Sequence, residues 1–73
     1  MKRYAVVFEK AESNWAAYVP DLPGCISTGA TLPETKRSIR EAIQLHLEAM
    51  HEVGEPIPDA ITDVDFVELE PVS

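Results

Sequence analysis

Only one stretch of this chain can make a long helix, and the rest of the fold has to be arranged around it. Thr31-Leu-Pro-Glu34 has the form of a helix start. Thr31 can accept from the free N–H groups of the first turn, Glu34 three residues on completes a capping box, and Pro33 falls where a missing N–H is harmless. Ile39, Ala42, Ile43, Met50 and Val53 then recur at helical spacing with His46 in the same stripe, and Gly54 is the expected stop. The pattern predicts one helix from Thr31 to about Val53, roughly 30 Å long.

The residues before it read as three strands. Tyr4-Ala-Val-Val-Phe8 is rich in β-forming side chains and apolar on both faces, which marks a central strand. Lys10 to Asn14 is a polar turn, and Trp15 to Val19 is the second strand, ended by Pro20. Pro20-Asp-Leu-Pro-Gly24 makes a tight connection, since proline fixes φ and Gly24 supplies a positive φ. Cys25 to Gly29 is the third strand. After the helix, Pro56 and Pro58 enforce a bend, and Asp63 to Leu69 reads as a fourth strand, with Val64 and Phe66 on one face and Val67 and Leu69 on the other.

The order is βββαβ, an α+β class. One helix can cover one face of a sheet and no more. If the fourth strand lies beside the first it runs parallel to it through a right-handed crossover. The expectation is a four-stranded mixed sheet of order 3-2-1-4 with one bare face. That open sheet face is the candidate surface for assembly into a homo-oligomer.

The 73 residues are expected to form a single domain, 1–73. So short a chain buries a modest share of its surface and leaves little room for a substrate pocket beside its core. Cys25 is the only cysteine, so an internal disulfide and a cysteine-based zinc cluster are both excluded. The apolar run after Lys2-Arg3 spans only Ala5 to Phe8, too short for a signal peptide or a membrane span. A cytoplasmic location is the expectation.

Charge is divided unevenly. Residues 1–40 hold all six basic side chains and four acidic ones, whereas residues 41–73 hold nine acids and no Lys or Arg. The second half would repel nucleic-acid phosphates and attract a basic partner. Direct nucleic-acid binding is therefore not expected.

Several segments together resemble the HicB antitoxin family: Trp15-Ala-Ala-Tyr-Val-Pro20-Asp-Leu-Pro-Gly24-Cys25, Ser27-Thr-Gly29, Glu41-Ala-Ile43 and Gly54-Glu-Pro-Ile-Pro58. The resemblance covers nearly the whole chain, and the Val-Pro-Asp-Leu-Pro-Gly-Cys run is its most specific part. It implies a truncated ribonuclease H-like fold. It also implies a partner, HicA, a small basic RNA-cleaving toxin that HicB proteins cover. Complete HicB proteins usually carry a C-terminal DNA-binding module, for which the chain to Ser73 has no room, so operator binding is not expected of it. Two positions depart from the family habit: Ala30 replaces an acid after Gly29, and Glu34-Thr35 replaces an acidic-Ala pair at the helix start.

A ribonuclease H relative raises the question of nuclease activity, which needs converging carboxylates and two metal ions. Tyr4 to Phe8 has no acid, and Glu9 falls at its end. Glu41, Glu48, Asp63 and Asp65 alone make no site, so no enzyme activity, metal or cofactor is expected. His46 reads as a packed neutral imidazole, and His51 is five residues on, a poor spacing for sharing an ion. Cys25 has no neighbouring base in sequence and reads as a small buried hydrophobe. The expected function is that of an antitoxin domain that binds and neutralises a HicA-type toxin by protein contact. The alternative is a solitary self-associating structural or regulatory domain. Candidate partner-binding residues are Trp15 and Tyr18, which fall on opposite faces of their strand, Asp21 and Leu22 in the proline-framed loop, and the acids Asp63 and Asp65.

Overall fold

The computed structural model describes residues 2–72. Three strands, β1 (Val7–Lys10), β2 (Trp15–Tyr18) and β3 (Ile26–Gly29), precede one helix, α1 (Leu32–Glu52). The strands form an antiparallel meander of order β1-β2-β3. Between β2 and β3 the chain is stitched by its own backbone: the Val19 N–H donates to Cys25 O, the Leu22 N–H to Val19 O and the Cys25 N–H to Leu22 O. Gly24, at φ 84°, makes the left-handed step that closes this loop. The loop folds inward, so Leu22 is fully buried and joins Ala17, Val19, Cys25 and Ile39 in the core.

The helix starts where its sequence requires. The Glu34 N–H donates to Thr31 Oγ1 at 3.3 Å, and the Ala30 N–H donates to Glu34 Oε2 at 3.2 Å. The Glu34 carboxylate thus serves the residue before the cap rather than the cap itself. Gly54, at φ 75°, turns the chain out, and the Val53, Gly54 and Glu55 N–H groups take up carbonyls of the last turn. Ile39 is buried and Ala42, Ile43 and Leu47 pack against the core, whereas Val53 is 70% exposed. Leu47 thus replaces Val53 in the expected stripe. Thr35 is fully buried and its hydroxyl donates to Thr31 O at 2.8 Å.

The expected four-stranded sheet of order 3-2-1-4 is overturned. Among the described residues the sheet has three strands, and residues 63–69 form no ladder. β1 also begins at Val7 rather than Tyr4, and β3 at Ile26 rather than Cys25. β1 runs on to Lys10, so Glu9 lies within it, opposite Ala16, rather than at its end. The physical reason is a lack of cover. The helix packs on β3 and β2, so a strand beyond β1 would have no second layer to bury its side chains. Ladder bonds alone stabilise a strand weakly without side-chain packing. The apolar groups of the C-terminal segment accordingly stay in water: Val64 is 60%, Phe66 91% and Leu69 85% exposed.

Two anchors hold the start of that segment. The Tyr4 hydroxyl donates to Pro58 O at 2.6 Å, and Lys2 Nζ lies 3.5 Å from Asp59 Oδ1. The molecule extends 54 Å along its longest axis, with a radius of gyration of 14.7 Å. A compact chain of this length would have about 11 Å.

Candidate functional site

The pleat of the sheet sorts its side chains between a covered and a bare face. Phe8, Ala17 and Val19 turn toward the helix and the core. Val7, Tyr18 and Ile26 alternate with them and lie in register across the three strands. They form an apolar row on the bare face, where Tyr18 is 41% and Ile26 69% exposed. Glu9, Ala16 and Thr28 form the next row. Trp15 alternates to the covered side and is half-buried. One of the two β2 aromatics thus lies half-buried on the covered side, and the other stands on an open surface.

Asp21 does something its sequence context did not reveal. Its Oδ2 accepts from the N–H groups of Ile61 and Thr62, each at 3.0 Å, and its Oδ1 accepts from the Thr62 hydroxyl at 2.7 Å. One carboxylate therefore clamps the C-terminal segment to the β2–β3 loop. The Thr62 backbone N–H and hydroxyl, followed by the Ile61 N–H, hold this carboxyl below the ordinary aspartate range by favouring its charged form. Nothing local in the sequence could have indicated the pairing, because its partners are 40 and 41 residues away. Leu22, next to the clamp, is wholly inside the molecule. Asp63 and Asp65, just past it, are exposed.

Burial pushes the Cys25 thiol up, away from the reactive thiolate. His46 is half-buried beside Leu22, Pro23 and Met50, and His51 is exposed. Glu41, Glu48, Asp63 and Asp65 are all on the surface. Among the described residues no group of three or more His, Cys, Asp or Glu side chains could hold a metal ion. No helix among them is long and apolar enough to cross a membrane.

A second surface lies at the flank of the molecule. Val6 and Phe8 on one side and Ile39 and Ile43 on the other line an apolar groove, with Lys36 and Arg40 beside it. What this domain offers chemically is contact: an apolar row on a bare sheet, an acidic C-terminal half, and a basic-edged groove.

Residues 4–71 match the family model of the HicB-like antitoxin of bacterial toxin-antitoxin systems. An uncharacterised 14.9 kDa protein of Haemophilus phage HP1 is 42% identical over 55 residues, covering 75% of this chain and 41% of the phage protein. A UPF0150 protein of Helicobacter pylori is 49% identical over 41 residues, 56% of this chain and 57% of its own. The chain thus spans about half the length of these two relatives. A UPF0150 protein of Archaeoglobus fulgidus is 37% identical over 65 residues, 85% of this chain and 94% of the relative. Among solved structures, a chain of the HicA3 and HicB3 toxin-antitoxin complex superposes with a TM-score of 0.70 at 30% identity, over 82% of this chain and 70% of that one. With its proline-framed loop, capped helix and three-stranded meander, this chain belongs to the HicB-like antitoxin family.

Proposed function

We propose that this chain binds a small basic HicA-type RNase toxin and neutralises it by protein–protein contact. The observation that carries this reading is its likeness, in fold and in sequence, to a chain of a HicA3–HicB3 complex. Charge supplies a physical rationale, because the nine acids of residues 41–73 face no Lys or Arg in that half and attract a cationic surface. In this reading Tyr18 on the bare sheet and the exposed Asp63 and Asp65 make the contact. Trp15 and Leu22 support the sheet and loop from inside, and Asp21 holds the segment on which the two acids sit. The role is binding, without metal, cofactor or catalysis, and without direct contact to nucleic acid. Its setting is the cytoplasm, where the lone Cys25 stays reduced.

The test is an RNA-cleavage assay with a purified HicA-type toxin. Cleavage is expected to stop when this protein is in molar excess. Changing Tyr18 to Ala together with Asp63→Asn and Asp65→Asn is expected to weaken binding about tenfold or more. Undiminished cleavage in excess of the folded protein would remove the antitoxin reading for that toxin.

A second reading, a self-associating domain with no toxin, is favoured by the apolar row of Val7, Tyr18 and Ile26, which a second copy can cover. It predicts a homo-oligomer that Tyr18→Asp disperses, and light scattering on the two proteins decides it.

A further inference from the structure

Two loops that lie far apart in the chain close on one hollow. The last turns of α1, the β2–β3 loop and the exit after Gly54 surround a space of about 440 Å³. Ligand pockets commonly have this size. Pro23 from the loop, Met50 and Val53 from the end of the helix and Pro58 from the exit give it apolar walls, and His46 and Glu55 supply its polar groups. Pro23, Val53 and Glu55 are exposed, so the hollow opens to solvent.

Each wall is fixed by bonds that do not depend on an occupant. Three backbone hydrogen bonds within Val19–Cys25 set the loop. The Gly54 N–H donates to His51 O at 3.2 Å and the Glu55 N–H to Met50 O at 2.9 Å, which sets where the exit leaves the helix. The Tyr4 hydroxyl holds Pro58 by its carbonyl. Prolines in the loop and the exit restrict what freedom is left. A hollow framed in this way is formed before anything enters it, so little ordering entropy opposes its filling.

The charge around it favours a cation. Among the described residues no Lys or Arg lines the hollow, and the Glu55 carboxylate does. One wall is the C-terminal end of α1, where the helix dipole is negative. Apolar walls with an anionic edge suit a side chain that has a long aliphatic stem and a charged head.

We propose that the hollow seats one arginine or lysine side chain of a basic partner protein. The stem lies against Pro23, Met50, Val53 and Pro58, and the cationic head pairs with Glu55. The assignment takes its partner from the antitoxin reading above. The hollow itself is a separate contact, because Tyr18, Asp63 and Asp65 do not line it.

A methyl NMR titration tests the chemistry of the hollow without a toxin. The probes are acetyl-Gly-Arg-Gly-amide and acetyl-Gly-Lys-Gly-amide, and the controls are the same peptide with glutamate or with uncharged norleucine at its centre. At least one cationic peptide is expected to move the Met50 and Val53 methyl signals, with saturation at about millimolar concentration, and both controls to leave them in place. Glu55→Gln is expected to weaken that binding at least about threefold, whereas Glu41→Gln, the same charge change at another exposed position, leaves it unaltered. Cationic peptides that leave these signals in place, a norleucine peptide that moves them equally, or a Glu55→Gln chain that binds as before each overturn the proposal. Calorimetry with a purified HicA-type toxin then examines the partner, and Glu55→Gln is expected to lower its affinity about tenfold. A toxin that binds the unaltered and Glu55→Gln chains alike also overturns the proposal. A toxin that binds neither removes the antitoxin reading, and the peptide titration alone then decides the hollow.

Discussion

Gly29 is where sheet and helix come closest, and the clearance there is below what any other residue needs. A Cβ at that position would lie 2.5 Å from Thr35 Oγ1 and 2.9 Å from its backbone N. Thr35 cannot easily move, because its hydroxyl already donates to Thr31 O and its side chain is fully buried. Gly29→Ala is expected to lower stability by about 1–3 kcal/mol, as overpacking does. Urea denaturation measures it, and an unchanged midpoint would contradict the close approach. Asp21 is the other position whose role depends on a single contact set. Its folded-state pKa lies below the unfolded one, so its contribution is present above the ordinary carboxylate range and is lost as pH falls through the folded value. Asp21→Asn is expected to lower the protection of the Ile61 and Thr62 amides, measured against their intrinsic exchange rates, at neutral pH, and acidification of the unaltered chain to lower it too. Protection at these two amides that ignores both changes would sink the clamp.

At the scale of elements, the helix and the β2–β3 loop are locally encoded. Thr31 and Glu34 close the helix start with side-chain bonds, and Gly54 turns the chain at its end. Thr31→Ala is expected to cost about 1 kcal/mol, while Thr31→Asp, which also caps, leaves stability nearly intact. Thermal unfolding followed at the helical signal compares them, and equal losses would show that the hydroxyl does not act as a cap. The loop is equally local: its three backbone bonds lie within Val19–Cys25, and its prolines restrict it before it folds. Its burial of Leu22, by contrast, needs the helix. A side chain read as part of an exposed turn became core because the loop curls under α1.

For the whole molecule, charge separation sets how a partner approaches. The acids of residues 41–73 lie on the helix, its exit and the C-terminal segment, and every basic side chain precedes residue 41. Association with a basic toxin is expected to slow as salt rises from about 0.1 M, where the screening length is about 10 Å, to about 1 M, where it is about 3 Å. Stopped-flow mixing reads the on-rate, and a rate independent of salt would show that steering plays no part.

Taken by itself, the amino-acid sequence determined what short-range physics determines. Thr31, Pro33, Glu34 and Gly54 bound a helix through interactions within a turn of each end. Alternation put Trp15 and Tyr18 on opposite faces, and the proline-framed run carried the likeness to the HicB-like family. Only the tertiary structure decided which strand-like segments have a partner. Residues 63–69 have the alternation of a strand, yet a ladder needs a neighbour and a covered face, and α1 lies over β2 and β3. Asp21 looked like any loop acid, and its partners at Ile61 and Thr62 come near only after the helix has carried the chain back across the sheet. Local pattern encodes the propensity of a segment, whereas burial and pairing belong to the neighbours that the folded chain supplies.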